Sequence, residues 1–476
     1  MMKNSNSQTK IVATLGPATT SKEVITSLIQ EGVDVFRLNF SHSSQQEHLK
    51  MFHLIKELNS ELNTHIAILA DLQGPKLRVG EIENNRIDLL EGDIITFVNE
   101  KCVGTKERIY MSYREFPKDV NTGEFILIDD GKIKLEVVET NKTDTVKARV
   151  IYGGPLSSKK GVNLPNTKVS LPALTREDIL NANFALDNDV DWIALSFVRK
   201  ASDILELKEL IKKKNGHAGV IAKIEKPEAL DEIDQIIEIT DGVMVARGDL
   251  GVEVSFDRVP LIQKQIVAKC IAQAKPVIIA TQMMESMMFN FTPTRAEAND
   301  VANAVLDGAD ALMLSGETSI GKYPVQTIQS MQKIINFTEM HGNIFNRNYV
   351  PVPDSPTFLE DSICYNAVVL AKQTRAKAII AITNSGYTAY RLASYRPEAK
   401  IFAVTNNEKL LHKLSLVWGV RAFYVQSYET INEVYFESIK ILKLNMLIEE
   451  GDTLVHIGSI PFNQHGSANM IKLTQV

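Results

Sequence analysis

Short runs of apolar, β-branched residues recur along most of the chain, each followed by a polar turn and then by a helical pattern. They span 10–15, 33–38, 66–70, 192–197, 220–224, 242–246, 276–280 and 311–314. Runs that stay apolar without alternating belong to strands buried on both faces, and so to a parallel sheet covered by helices. The helix starts are marked as well. Thr20-Ser21-Lys22-Glu23 reads as a capping box opening a helix that stops before Gly32. Thr294-Arg295-Ala296-Glu297 opens the helix 296–306 in the same way. Eight strand–helix units predict a closed (β/α)8 barrel, a fold whose active sites lie at the C-terminal strand ends.

Two stretches break the rhythm. Residues 75–171, between the third and fourth strands, alternate instead, as in 125–128 and 132–138 around an Asp130-Gly131 turn. They predict a small all-β domain inserted at the catalytic end of the barrel (1–74 and 172–345), where it would act as a lid. After the proline-rich linker 349–356, four more strand patterns at 378–382, 401–404, 422–425 and 453–457 alternate with helical stretches. Residues 346–476 therefore read as a doubly wound α/β domain.

Composition narrows the function classes. The chain has 476 residues, 44% hydrophobic and 23% charged, the balance of a globular protein of several domains. No run approaches the roughly 20 apolar residues of a membrane span. The net charge is −6, and the only basic cluster, Lys212, Lys213 and Lys214, reads as a solvated helix face, which argues against a nucleic-acid binder. Cys102, Cys270 and Cys364 form no paired motif, and the polar start MMKNSNSQTK has no apolar signal core. A cytoplasmic location is expected.

The residues closing each strand carry the candidate chemistry. Arg37 suits phosphate binding, and equally a salt bridge between helix and strand. Alternation puts Lys223 and Glu225 on one side of the fifth strand; such a pair is most often structural. Gly248 and Gly251 flank Asp249 and allow close approach of a ligand to the backbone. Thr281 and Ser315 follow the seventh and eighth strands. Glu225 and Asp249, from neighbouring strands, supply two hard oxygen ligands with room for substrate oxygens, a pattern that suits Mg²⁺ or Mn²⁺. With Lys223 and Arg37 beside them, the cluster makes sense around a polyanion whose charge moves during reaction.

Other signals are weaker. Gly316–Tyr323 has the outline of a phosphate-binding loop but puts Tyr323 where Ser or Thr is required. The nine histidines show no metal-ligand spacing. Met283, Met284, Met287 and Met288 read as core filling.

Arg37-Leu38-Asn39-Phe40-Ser41-His42, residues 71–78, Lys223-Ile224-Glu225, residues 244–251, Ala280-Thr281-Gln282-Met283 and Pro293-Thr294-Arg295-Ala296-Glu297 together resemble the pyruvate kinase family, in order and over essentially the whole chain. The resemblance implies transfer of the phosphoryl group of phosphoenolpyruvate to ADP. It implies that Glu225 and Asp249 hold the divalent ion and that Lys223 and Arg37 bind the phosphoryl group. Gly248, Asp249 and Thr281 would hold the substrate carboxylate, and Thr281 and Ser315 would order the water that protonates the enolate. Asn39, His42, Arg78 and Lys160 match nucleotide-contacting positions. Leu72 and Lys76 depart from potassium-dependent members and resemble the potassium-independent branch; an ammonium on Lys76 would stand in for K⁺ near Asn39, Ser41 and Asp71. Thr383-Asn384-Ser385-Gly386-Tyr387-Thr388 is either an ordinary strand–helix turn or a phosphate-binding loop. The resemblance favours an allosteric site for a phosphorylated metabolite, closed over by loop 458–469. It also implies a homotetramer.

Two other readings stay in view. One keeps the barrel and metal but makes the chain a carbon–carbon lyase or aldolase, against which the lid and Arg78 argue. The other is a non-catalytic metabolite sensor, against which the intact Lys223, Glu225, Asp249 and Thr281 argue.

Overall fold

The computed structural model describes residues 7–165, 167–346, 349–426, 430–460 and 468–476. Eight parallel strands close a barrel: β1 (Lys10–Thr14), β2 (Val35–Asn39), β3 (Ala67–Asp71), β4 (Trp192–Leu195), β5 (Gly219–Ile224), β6 (Gly242–Ala246), β7 (Val277–Ala280) and β8 (Ala311–Leu314). They lie in sequence order around the ring, with β8 paired to β1. The apolar runs are continuous because each strand is buried twice. Val12, Val35, Leu69, Trp192, Ile221, Met244, Ile278 and Met313 fill the barrel interior. Their neighbours, such as Ile11, Phe36, Val220, Val243 and Leu312, pack outward against the helices. One strand start depends on glycine: a Cβ at Gly219 would lie 2.5 Å from the Trp192 ring, so only a bare backbone fits beside that indole.

The helix signals resolve with one shift. Thr294 and Glu297 form the reciprocal capping box of the helix Arg295–Asp307. In the helix Lys22–Glu31, however, the N-cap is Ser21, whose hydroxyl accepts the Val24 N–H at 3.3 Å, so Thr20 and Glu23 form no box. Gly32 ends that helix at φ 118°, where a left-handed residue is needed.

Between β3 and β4 the chain forms an inserted β-domain built on a seven-stranded sheet, with a core of its own around Ile95, Phe97, Ile126, Leu135 and Ala148. The C-terminal domain is a five-stranded sheet of β9 (Ala378–Ile382), β10 (Lys400–Thr405), β11 (Val420–Tyr424), β12 (Thr453–Gly458) and β13 (Met470–Gln475). The last of these, antiparallel to β12, is absent from the sequence reading. Its Met-Ile-Lys-Leu-Thr-Gln sequence is an edge strand with no buried apolar run, so the signal used for the other strands does not reach it.

The C-terminal domain is seated on the barrel floor, the end opposite the C-terminal strand ends. Leu416 joins the barrel-interior cluster. Arg396, 2% exposed, donates to Gly308 O at 2.7 Å and pairs with Asp310 at 3.1 Å, with its guanidinium 4.9 Å from the Trp418 ring. Among the described residues, no helix is long and apolar enough to cross a membrane.

Candidate active site

Alternation along β5 sets the centre of the site. Ile221 points into the barrel core, and Lys223 and Glu225 follow it on the same face, above that core. Lys223 Nζ lies 3.0 Å from Glu225 Oε1 and 3.1 Å from Asp71 Oδ1, and donates to Ser196 Oγ at 2.7 Å. Asp71, at the end of β3, also receives Arg37 Nε from β2 at 2.7 Å. Arg37 Nη1 reaches Thr14 Oγ1 at the end of β1, 3.0 Å away. Three strands thus contribute to one chain of ion pairs, and hydroxyls at the ends of β1 and β4 add hydrogen bonds to it. The remaining Glu225 oxygen, Oε2, accepts the Phe197 N–H at 2.8 Å. Phe197 has φ 55°, a left-handed conformation disfavoured for an aromatic residue, and this local strain accompanies the aim of its N–H at the carboxylate.

The next two strands complete the rim. The helix Arg247–Glu253 begins directly after β6 and carries Asp249 in its first turn. Gly248 donates its N–H to Thr281 Oγ1 at 2.8 Å. Thr281 and Gln282 have φ 70° and 54°, strained values for non-glycine residues. Arg247 braces that turn, donating to Thr281 O at 2.7 Å while paired with Asp300 at 2.7 Å. At the last strand end, Ser315 donates its N–H to Glu317 Oε2 at 2.8 Å, and Glu317 Oε1 accepts the Met284 N–H at 3.1 Å. Glu317 therefore ties together the turns after β7 and β8.

The electrostatics follow from burial and pairing. Burial opposes the charge on Lys223, but Asp71 and Glu225 outweigh it and raise its pKa above the ordinary value, so the side chain is a fixed ammonium. Burial works against the Asp71 carboxylate too, and Lys223 and Arg37 overcome it, holding its pKa below normal. Glu225 is shifted upward, by burial first and then, against the pull of Lys223, by the neighbouring Asp249 carboxylate. The rim thus gathers three carboxylates, Asp71, Glu225 and Asp249, around two cations, Arg37 and Lys223. The unfavourable Glu225–Asp249 proximity is what a bound divalent cation would relieve, and the oxygen-only donor pair fits Mg²⁺ or Mn²⁺. Among the described residues no cluster of three or more His, Cys, Asp and Glu side chains could hold a metal alone, so an ion at this pair would take its other ligands from water and substrate.

The other candidate residues are placed less uniformly. His42 lies among cations: the surrounding protein desolvates it, and Arg78, Lys76 and Arg37 further lower its pKa. Arg78 Nη1 is used within the inserted domain, on Lys159 O at 3.0 Å, and Lys160 pairs with Asp129 at 2.8 Å. Asn39 Oδ1 accepts the Ser41 N–H at 3.1 Å, and Asn39 is in register with Asp71. Asp71 is engaged by Arg37 and Lys223 rather than by Lys76.

In the C-terminal domain, Thr383 Oγ1 accepts the Gly386 N–H at 2.9 Å, and Ser385 Oγ accepts that of Tyr387 at 3.3 Å. Asn384 and Ser385 are exposed. The Tyr387 hydroxyl is turned onto Asp361 at 2.7 Å and Thr388 is buried, so neither side chain faces outward with the loop. Most of the predicted closing loop, 461–467, lies outside the described residues.

The sequence reading missed Thr14, Ser196 and the Phe197 N–H. They close β1 and β4, the two strand ends it did not inspect; the rule that flagged the other six would have found them.

With this geometry in place, comparison with known proteins is direct. A family model described as "Pyruvate kinase, barrel domain" matches residues 6–328, and "Pyruvate kinase, alpha/beta domain" matches 361–474. A pyruvate kinase from Geobacillus stearothermophilus is 42% identical over 471 residues, covering 98% of this chain and 80% of the relative. One from Agrobacterium vitis is 42% identical over 482 residues, covering 100% of both. The crystal structure of a pyruvate kinase from Cryptosporidium parvum superposes with a TM-score of 0.92 at 33% identity, covering 98% of this chain and 96% of that one. Full-length matches of barrel, inserted domain and C-terminal domain together place the chain in the pyruvate kinase family of phosphotransferases.

Proposed function

We propose that the chain transfers the phosphoryl group of phosphoenolpyruvate to ADP, giving pyruvate and ATP, at the rim formed by Arg37, Lys223, Glu225, Asp249 and Thr281. The observation that carries this reading is the ion-pair chain Arg37–Asp71–Lys223–Glu225 beside Asp249. Phosphoryl transfer needs little covalent help from the protein; it needs positioning and fixed charge. Lys223 is held protonated and is buried, so its charge is aimed before substrate arrives and costs no reorganisation during transfer. Its ammonium would stabilise first the phosphoryl oxygens and then the enolate oxygen left behind. Arg37, anchored on Asp71 through Nε, keeps guanidinium N–H groups to offer the phosphoryl group. A divalent ion on Glu225 and Asp249 would neutralise oxygens shared between substrate and phosphoryl group. Thr281 already holds the Gly248 N–H, so a substrate carboxylate binding at Gly248 and Asp249 would share or displace that bond. Thr281 and Ser315 would order the water that protonates the enolate.

On the same reading Asn39, His42, Arg78 and Lys160 contact the nucleotide, and Lys76 provides the positive charge that K⁺ supplies in other members. The cations gathered around His42 support this. The loop 383–388 would receive a phosphorylated effector through Thr383, Asn384, Ser385 and the Gly386 backbone. A homotetramer in the cytoplasm completes the proposal.

The test is pyruvate formation from phosphoenolpyruvate with ADP and Mg²⁺ each omitted in turn. Activity should need both. Pyruvate formation without ADP would favour the lyase reading, and no pyruvate at all the sensor reading.

A further inference from the structure

A second buried ion pair stands next to the first. Lys226 Nζ lies 2.6 Å from Glu253 Oε1, with the two side chains 12% and 1% exposed. Each partner is one step from a candidate metal ligand: Lys226 follows Glu225 in sequence, and Glu253 lies one helical turn beyond Asp249. The same Glu253 oxygen accepts Asn163 Nδ2 at 2.8 Å. Asn163 ends the strand Gly161–Asn163 of the inserted domain, three residues after Lys160. The other Glu253 oxygen, Oε2, is buried without a hydrogen-bond partner.

This contact is singular. Among the described residues it is the one side-chain hydrogen bond between a strand of the inserted domain and the barrel. The remaining polar links lie in the connecting segments, where Arg199 binds Val169 O and Leu171 O at 2.6 Å each and Gly74 donates to Asp178 Oδ1 at 3.1 Å. Gly131 adds a glancing contact, since a Cβ there would be 3.9 Å from Val252 Cγ1. The inserted domain packs around its own core, separate from that of the barrel. A body joined by two connectors and a small polar contact is free to dock and undock, and one charge-assisted hydrogen bond then weighs heavily on the balance.

We propose that Asn163, Glu253 and Lys226 form a clasp that holds the inserted domain docked over the active site, with Glu253 as its positioning residue. Lys226 pairs with the Glu253 carboxylate in its buried place and holds it at the end of β5. Glu253 in turn fixes the end of β5 against the helix that carries Asp249 and captures Asn163 of the lid. Lys160 lies three residues before Asn163 on the same segment, so the clasp would tune nucleotide capture; in that respect it rests on the phosphotransfer reading above.

Two variants test it. Asn163→Ala removes the lid's half of the clasp and leaves the Lys226–Glu253 pair intact. Glu253→Gln keeps a carbonyl acceptor for Asn163 but loses the ion pair. Hydrogen exchange on the free protein should show amides of 161–163 exchanging roughly tenfold faster in Asn163→Ala, with barrel amides unchanged, and less acceleration in Glu253→Gln. In steady state, Asn163→Ala should raise the KM for ADP by roughly tenfold while phosphoenolpyruvate binding stays within about twofold. Exchange at the parental rate in Asn163→Ala would overturn the clasp, and so would equal losses of ADP and phosphoenolpyruvate binding. If the parent makes no pyruvate from phosphoenolpyruvate and ADP, it is the phosphotransfer reading that fails, and the exchange rates still decide the clasp.

Discussion

Lys223 shows how neighbours set the charge state of one side chain. A lysine buried alone would shed its proton; here Asp71 and Glu225 reverse that tendency. Its pairing with Glu225 was legible in the sequence, because residues two apart on a strand share a face. Its pairing with Asp71 and Ser196 was not, because those partners arrive from β3 and the end of β4. Arg37 was evenly balanced between a helix–strand salt bridge and a phosphate ligand; the structure pairs it instead with Asp71 on the adjacent strand and leaves its other N–H groups to the proposed ligand role. Lys76 carries a prediction at this scale. If its ammonium replaces K⁺, adding KCl to a potassium-free assay in Tris buffer should change activity less than about twofold, and Lys76→Glu should create a potassium requirement. A tenfold or greater activation of the parent by KCl would contradict this.

At the scale of elements, the junction between the barrel floor and the C-terminal domain carries a prediction about acid. His65, just before β3, packs edge-on against His412 at 5.6 Å. Burial, then His412 and Arg421, lower its pKa to about 4. Burial, then Lys409 and Lys413, lower that of His217 to about 4. In the unfolded chain both would titrate near 6.5. Between about pH 6.5 and 4 the unfolded chain therefore binds protons that the folded chain does not, and stability falls as pH drops through that window. Asp191, raised to about 6 mainly by burial, acts in the opposite sense below pH 6, so it offsets part of the loss from the two imidazoles. Calorimetry between pH 7 and 4.5 should show a falling Tm, with a shallower slope in His65→Phe; an unchanged slope would contradict the assignment. None of this junction was read from the sequence, since isolated histidines carry no spacing signal. The elements themselves were legible wherever burial on both faces gives a continuous apolar run, as in all eight barrel strands. The edge strand β13 lacks such a run and was missed.

For the whole molecule, the division into barrel, inserted β-domain and C-terminal sheet followed from changes of hydrophobic period along the chain. How the parts sit on one another did not, because it depends on single long-range contacts: Leu416 under the barrel, Arg396 on Asp310, Asn163 on Glu253. Of these, the contacts of the C-terminal domain give the proposed effector loop a route to the barrel. The helix Tyr387–Ser394 begins at that loop, its Arg391 donates to Ala272 O at 3.1 Å, and Arg396 follows two residues after its end. If the loop binds a phosphorylated metabolite, replacing Thr383 and Ser385 together by Ala should abolish activation by that compound and leave activity without effector intact. An unchanged effector response would place the site elsewhere.

The central claim is that Lys223, fixed between Asp71 and Glu225, drives phosphoryl transfer. The most direct measurement compares pyruvate formation from phosphoenolpyruvate, ADP and Mg²⁺ by the parent and by Lys223→Met, with folding of both checked by circular dichroism. Loss of a preorganised charge at the reacting oxygens should lower turnover by roughly a hundredfold to a thousandfold or more in a protein that remains folded. Equal turnover in the two proteins would contradict the account.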